Sequence, residues 1–142
     1  MEVKELMNPG VVWVEPTATA ALAARLLSRH NLGALPVCAG DGRLRGMVTD
    51  RDIVLRCVAA EEDPRSVPVR SIMSRRPAVV TPEDDVRQAA RLMSSQQVRR
   101  LPVVDKDRVV GVVSLGDLAK CGRYEMEISR ALTDISENIR QP

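Results

Sequence analysis

Phenylalanine is absent from this chain of 142 residues, and Trp13 and Tyr124 are its only aromatic side chains. A protein that holds single-stranded nucleic acid needs aromatic platforms for its bases, so that class is set aside. Charge agrees: 21 Lys and Arg against 19 Asp and Glu leave a formal +2, too little to grip a polyanionic backbone. Histidine is nearly absent too. His30 stands alone, which leaves little for a His-based metal site or a Ser-His-Asp triad. Cys38, Cys57 and Cys121 are odd in number, widely spaced and without a Cys-x-x-Cys pair, so reduced thiols are expected rather than a disulfide frame or a zinc site. No apolar run approaches ~18 residues, and the charged opening Met1-Glu2-Val3-Lys4-Glu5-Leu6-Met7 lacks the apolar core of a signal peptide. A cytoplasmic protein without a membrane partner is the expectation. Neither a nucleophile beside a base nor a Walker-type loop is present, so no catalysis and no required cofactor are expected.

What the chain does have is a composition of 44% hydrophobic and 28% charged residues, which belongs to folded globular proteins. Its length suits one domain or two small units with a shared core. Laid on itself at an offset of 66, the separation of Pro16 and Pro82, the chain matches Val3 with Val69, Met7 with Met73 and Ala23-Ala24-Arg25-Leu26 with Ala89-Ala90-Arg91-Leu92. Leu35-Pro36-Val37 falls on Leu101-Pro102-Val103. That is a tandem repeat. Beyond it the offset drops to 65, the separation of Asp52 and Asp117, because the turn at Gly40-Asp41-Gly42 is one residue longer than its counterpart at Asp105-Lys106-Asp107. Turns are where such insertions are tolerated.

Each copy begins with a short β-rich run, Val11-Val12-Trp13-Val14 and Ala78-Val79-Val80. A helix is predicted to follow each. In the second copy Thr81 suits the cap, Pro82 the first helical position, and Val86, Ala89, Ala90 and Met93 recur at helical spacing; Leu22, Ala23, Leu26 and Leu27 form the equivalent stripe in the first. Two hairpins are then predicted, Leu35–Ala39 with Leu44–Thr49 and Leu101–Val104 with Val109–Ser114. A second helix should start after Thr49, carrying Ile53, Val54 and Cys57, and another after Ser114, carrying Leu118 and Ala119. The polar stretch 61–68 holds two prolines and marks the linker. The organisation read from this is a first domain over 1–62, a linker over 63–68, a second domain over 69–122 and a C-terminal helix over 123–142. That last helix carries Ile128, Ala131, Leu132, Ile135 and Ile139 on one face, which either docks on its own protomer or meets another subunit.

The most informative repeated strings are Gly46-Met47-Val48-Thr49-Asp50-Arg51-Asp52 and Gly111-Val112-Val113-Ser114-Leu115-Gly116-Asp117. Both end a strand and open a helix. A hydroxyl followed three residues later by an acid at a helix start is the pattern of a capping box, though its usual acid is Glu. An ionised Asp also offers two acceptor oxygens and no donor, which suits a ribose 2′,3′-diol, while helix-start amides suit phosphate and the glycine admits a ligand or another backbone. The two readings are compatible.

The tandem copies, each with a Met-ending lead-in helix, an h-x-x-L-P-V strand and a G-h-x-[ST]-x-x-D string, resemble a pair of cystathionine-β-synthase (CBS) domains, also called a Bateman module. The resemblance covers residues 3–122. In size, and in the run Thr49-Asp50-Arg51-Asp52-Ile53-Val54, the chain also resembles small bacterial proteins made of nothing but such a pair. The family implies an α+β fold, mixed α/β, of two β-α-β-β-α repeats related by a pseudo-twofold axis, here with the C-terminal helix added. It implies two composite clefts for adenosine ligands such as AMP, ADP, ATP or S-adenosylmethionine. One would use Thr49, Arg51 and Asp52, with Ala78 and Val98 against the base. The other would use Ser114, Gly116 and Asp117 with Arg99 and Arg100, and Val12, Leu32, Gly33 and Ala34 against the base. Arg99-Arg100 corresponds to Gly33-Ala34, so the clefts should differ in their taste for phosphate; the alternative for this pair is a solvated or ion-paired start of a strand. A homodimer and an effector protein of unknown identity are the implied partners. The rival to a ligand sensor is a ligand-free CBS scaffold working through protein contacts. Cys38 and Cys57 lie on apolar faces as packed thiols, and Trp13 is assigned to the core or a cleft wall.

Overall fold

Residues 1–137 are described by the computed structural model of the chain; Ile139, placed in the C-terminal apolar stripe, lies outside the described residues. The chain divides into two compact units. One runs from Val12 to Pro77 with Asp107–Val109, and the other combines Met1–Val11, Ala78–Lys106 and the chain from Val110 onward. The lead-in of the first repeat therefore belongs to the unit built on the second repeat, and Val69–Ser71, the lead-in of the second, to the unit built on the first.

In the unit built on the first repeat, helix α1 (Ala20–His30) starts at Thr19, whose hydroxyl accepts from the Leu22 amide at 3.1 Å. It stops at Asn31, which takes the left-handed conformation that ends many helices. Ala20, Ala23 and Leu27 are its buried face, while Leu22 of the predicted stripe is exposed. Strands β1 (Ala34–Cys38) and β2 (Leu44–Thr49) pair antiparallel as predicted, and a two-residue strand β3 (Ser74–Arg75) adds to the far side of β2. Helix α2 (Asp50–Ile53) runs on into a π-helical turn over Val54–Val58. Ile53 and Cys57 turn inward onto Leu35, Val37, Val48, Val69 and Ile72, but Val54 is exposed.

The second unit is built alike. Helix α3 (Val86–Gln96) buries Val86, Ala89, Ala90 and Met93, the four residues its spacing predicts. Strands β4 (Arg100–Asp105) and β5 (Arg108–Ser114) are joined through Lys106 and Asp107, both at positive φ (52° and 66°), as a two-residue hairpin turn requires. Helix α4 (Leu115–Lys120) follows, burying Leu118 but leaving Ala119 exposed. Helix α5 (Glu125–Glu137) closes the unit.

Three expectations are corrected. The β-rich runs 11–14 and 78–80 do not form strands: only Val14 and Val80 make bridges, to Val37 and Val103. Their neighbours Pro16, Pro77 and Pro82 have no amide to extend a ladder. Helix α3 begins after Asp85 rather than at Thr81, because Thr81–Asp84 closes a turn of its own, with the Thr81 amide on Asp84 Oδ2 at 2.8 Å. The Val86 amide then goes to the Met1 carbonyl at 3.0 Å. Finally, the stripe on α5 is divided. Ile128, Ala131 and Ile135 are buried in the unit's own core with α3 and α4, whereas Leu132 is 44% exposed. Gln97 Nε2 donates to the Asp134 carbonyl at 2.9 Å, and Ser94 Oγ is hydrogen-bonded to Asp134, so α5 docks on its own protomer.

Candidate functional site

The two repeated strings adopt one geometry. Thr49 ends β2 in an extended conformation, its hydroxyl accepts from the Asp52 amide at 2.9 Å, and Asp52 Oδ2 accepts from the Thr49 amide at 3.0 Å. Ser114 and Asp117 repeat this at 3.1 and 2.8 Å. Both are capping boxes with Asp in the place of Glu. One oxygen of each carboxylate is thus committed to a backbone amide. The other is left for additional work; Asp52 Oδ1 lies 3.9 Å from Arg56 Nη1.

Glycine at the head of each string makes room for another backbone. A Cβ on Gly46 would stand 2.5 Å from the Ser74 carbonyl oxygen and 3.0 Å from Met73 Sδ; one on Gly111 would stand 2.7 Å from Met7 Sδ and 3.1 Å from the Asn8 carbonyl oxygen. The Met-ending lead-in segments are therefore seated on these glycines, and paired amide bonds between Asn8 and Val112, at 2.9 and 3.1 Å, secure one of them.

Around the shared geometry the copies diverge. The first amide of α2 goes to the Gly33 carbonyl at 3.1 Å and that of α4 to the Arg99 carbonyl at 2.8 Å, so each helix start is tied to the residue preceding the neighbouring strand. The next amide of α2, that of Arg51, is taken by Asp50 Oδ1 at 2.8 Å. In α4 Leu115 replaces Asp50 and points into the core, so among the described residues no side-chain carboxylate accepts from the corresponding Gly116 amide. A helix start with one carboxylate in its first turn, Asp117, is more hospitable to an anion than one with two, Asp50 and Asp52.

A cavity of about 300 Å³ opens at that second start, lined by Arg99, Arg100, Ser114, Leu115, Gly116, Ala119, Ile128 and Leu132. Four of the predicted site residues, Arg99, Arg100, Ser114 and Gly116, are brought together in its lining. Among the described residues neither arginine forms an ion pair. Asp117 is not one of its walls, being turned onto the Ser114 amide. Ile128 and Leu132 were missed as site residues: their amphipathic spacing was legible, but not the surface that α5 would meet.

The other predicted residues fall in their own units. Val12, Leu32, Gly33 and Ala34 share a unit with Thr49, Arg51 and Asp52: Val12 and Leu32 pack on its core, and Ala34 pairs with Thr49. Ala78 and Val98 belong to the unit of Ser114, Gly116 and Asp117, with Ala78 against the core and Val98 36% exposed. Trp13 is 38% exposed, outside the core to which it was partly assigned.

All three cysteines are free thiols. Cys38 and Cys57 are buried, and desolvation pushes the Cys38 thiol up to about 11, so it stays protonated and unreactive. Cys121 is half-buried and donates to the Leu118 carbonyl at 3.1 Å. Among the described residues no cluster of three or more His, Cys, Asp or Glu could hold a metal ion, and no helix is long and apolar enough to cross a membrane.

This geometry has relatives. The CBS domain-containing protein YhcV of Bacillus subtilis is 43% identical over 138 residues, covering 96% of this chain and 97% of its own. Hypoxic response protein 1 of Mycobacterium tuberculosis is 37% identical over 117 residues, 82% of each chain. A crystal structure of Hypoxic Response Protein I with two coordinated zinc ions superposes with a TM-score of 0.79 at 36% identity, covering 84% of this chain and 98% of that one. The CBS domain pair of protein MJ0100, in complex with 5′-methylthioadenosine and S-adenosyl-L-methionine, gives 0.78 at 27% identity over 86% and 95% of the two chains. Residues 3–58 and 69–123 each match the CBS domain, and with both repeats accounted for the chain belongs to the CBS domain family as a tandem pair.

Proposed function

We propose that this CBS pair is a regulatory sensor that binds an adenosine-containing ligand, AMP, ADP, ATP or S-adenosylmethionine, and catalyses nothing. The observation that carries this is the cavity at the start of α4, lined by Arg99, Arg100, Ser114 and Gly116, where among the described residues neither arginine has an ion-pair partner. Guanidinium groups match phosphate through paired charge-assisted bonds. The bound adenosine compounds of the MJ0100 pair support the ligand class. Asp117, Ser114, Gly116, Arg99 and Arg100 form the site with the stronger preference for phosphate. Thr49, Arg51 and Asp52 form the weaker one.

The protein works in the cytoplasm, as a homodimer, on an effector protein. With Ile128 and Ile135 covered by their own unit, the dimer contact moves to the exposed Val54, Leu55 and Val58. Light scattering at micromolar concentration should give twice the chain mass, and a monomer would refute the assignment.

A thermal-shift panel of the four adenosine compounds tests the sensor. A specific ligand stabilises the fold by about 2.7 kcal/mol at one hundred times its Kd, whereas a ligand-free scaffold shifts with none of them.

A further inference from the structure

A second, larger hollow of about 730 Å³ lies at the opposite end of the β1–β2–β3 sheet from Thr49. Its lining includes Arg45 at the start of β2, Arg75 at the end of β3 and Arg76 just after it, Met73, Leu44 and Glu15. Arg75 pairs with Gly46, the residue after Arg45, so all three arginines come from the same end of the β2–β3 pairing, and each lines the hollow. Among the described residues none of the three makes an ion pair. Glu15 follows Val14, which bridges to β1 on the other side of the sheet, and Glu15 Oε1 lies toward Gly40, 3.5 Å from where its Cβ would be. The lining of the hollow therefore carries three arginines from the β2–β3 side of the sheet and one glutamate from beyond β1.

Arg76 is the telling residue. It sits at φ 50°, a left-handed conformation that a Cβ disfavours and glycine takes freely. An arginine kept in a conformation that glycine would relieve, at the mouth of a hollow, is backbone strain of the kind that accompanies ligand sites. The volume lies within the range of small-molecule pockets, and Leu44 and Met73 in the lining offer apolar contact to the body of a ligand.

We propose that this hollow binds a small phosphorylated ligand, its anionic end on Arg45, Arg75 and Arg76 and a hydroxyl- or amine-bearing end toward Glu15. It is separate from the adenosine site, and its ligand need contain no base.

Pyrophosphate, which lacks a base, is the probe. It is titrated into the full chain at ionic strength of about 0.1 M, followed by calorimetry and amide chemical shifts. The shifts should centre on Arg45, Arg75 and Arg76, and Arg75→Gln with Arg76→Gly should weaken binding at least about tenfold, the loss of one charge-assisted contact. Arg99→Gln with Arg100→Gln should leave these shifts in place, and Arg76→Gly alone should keep or raise the thermal midpoint. Shifts confined to the Arg99–Arg100 region, unchanged affinity in the double variant, or a lowered midpoint in Arg76→Gly would overturn the proposal. So would shifts with a hexaglutamate peptide but none with pyrophosphate, which would make the hollow a protein-docking groove.

Discussion

The start of α2 and the start of α4 are the same device with different surroundings. Both close a capping box on a hydroxyl and an Asp, and both tie their first amide to the residue before the neighbouring strand. At α2 that residue is Gly33 and the helix brings its own anion, Asp50, onto the Arg51 amide. At α4 it is Arg99, followed by Arg100, and the residue in Asp50's place is the buried Leu115. The repeated residues keep the fold, so their recurrence alone does not identify a ligand site. The residues that do not repeat separate a helix start filled by its own side chain from one with positive charge and open space before it.

The units differ most in α5, which only one of them has. Ile135→Ala should cost about 2–5 kcal/mol, because a buried side chain is cut back inside a packed core. Urea denaturation followed by amide exchange checks this, with protection falling first in α3, α4 and α5 rather than in α1. The glycines offer a finer contrast. Gly46→Ala drives a Cβ into a backbone carbonyl oxygen and should cost about 2–3 kcal/mol, whereas Gly111→Ala meets first the flexible end of Met7 and should cost about 1 kcal/mol. Equal midpoints for the two variants would show that the lead-in segments are seated with equal tolerance.

Removing the anion at α2 should make the two starts more alike. Asp50→Ala is expected to tighten AMP at the weaker site about two- to fivefold, the equivalent of 0.3–1 kcal/mol, while lowering the thermal midpoint slightly. Calorimetry resolves the two sites. The smallest effect belongs to the caps of the first helices. Asp85 caps α3 and is held at about 2 rather than 3.8, first by its side-chain hydrogen bond with Arg87 and then by the Arg87 amide. Its folded value is the lower one, so its contribution is present above about 3.8 and is lost as pH falls through about 2. α1 is capped by the hydroxyl of Thr19, which carries no charge to lose. Acid titration followed by amide exchange should loosen the first turn of α3 before that of α1, and Asp85→Asn should abolish the difference.

Much of this was legible in the chain. Thr49–Asp52 and Ser114–Asp117 could be read as helix starts because a hydroxyl and an acid three residues apart have one local geometry, whatever packs around them. Val86, Ala89, Ala90 and Met93 could be read as a buried face for the same reason. Local chemistry misplaced the start of α3, since Thr81–Asp84 and Asp85 present the same residue types and only the turn geometry separates them. Which repeat each lead-in lies against is tertiary: Val3 and Val69 match in sequence, but nothing in either string names the glycine it will cover. The cluster of Arg45, Arg75 and Arg76 was not visible for a related reason. Some thirty residues separate its parts, and the two-residue strand that joins them has no periodicity to read.

The central claim is that Arg99 and Arg100 hold the phosphate of an adenosine ligand. It is tested most directly by calorimetry of AMP and of adenosine on the native chain and on the Arg99→Gln, Arg100→Gln variant. AMP should lose at least about tenfold, since each charge-assisted bond is worth about 1.5–3 kcal/mol, while adenosine binds as before. Equal losses for both would mean that these arginines hold the fold, and no heat from either ligand on the native chain would leave a CBS pair that binds no adenosine at all.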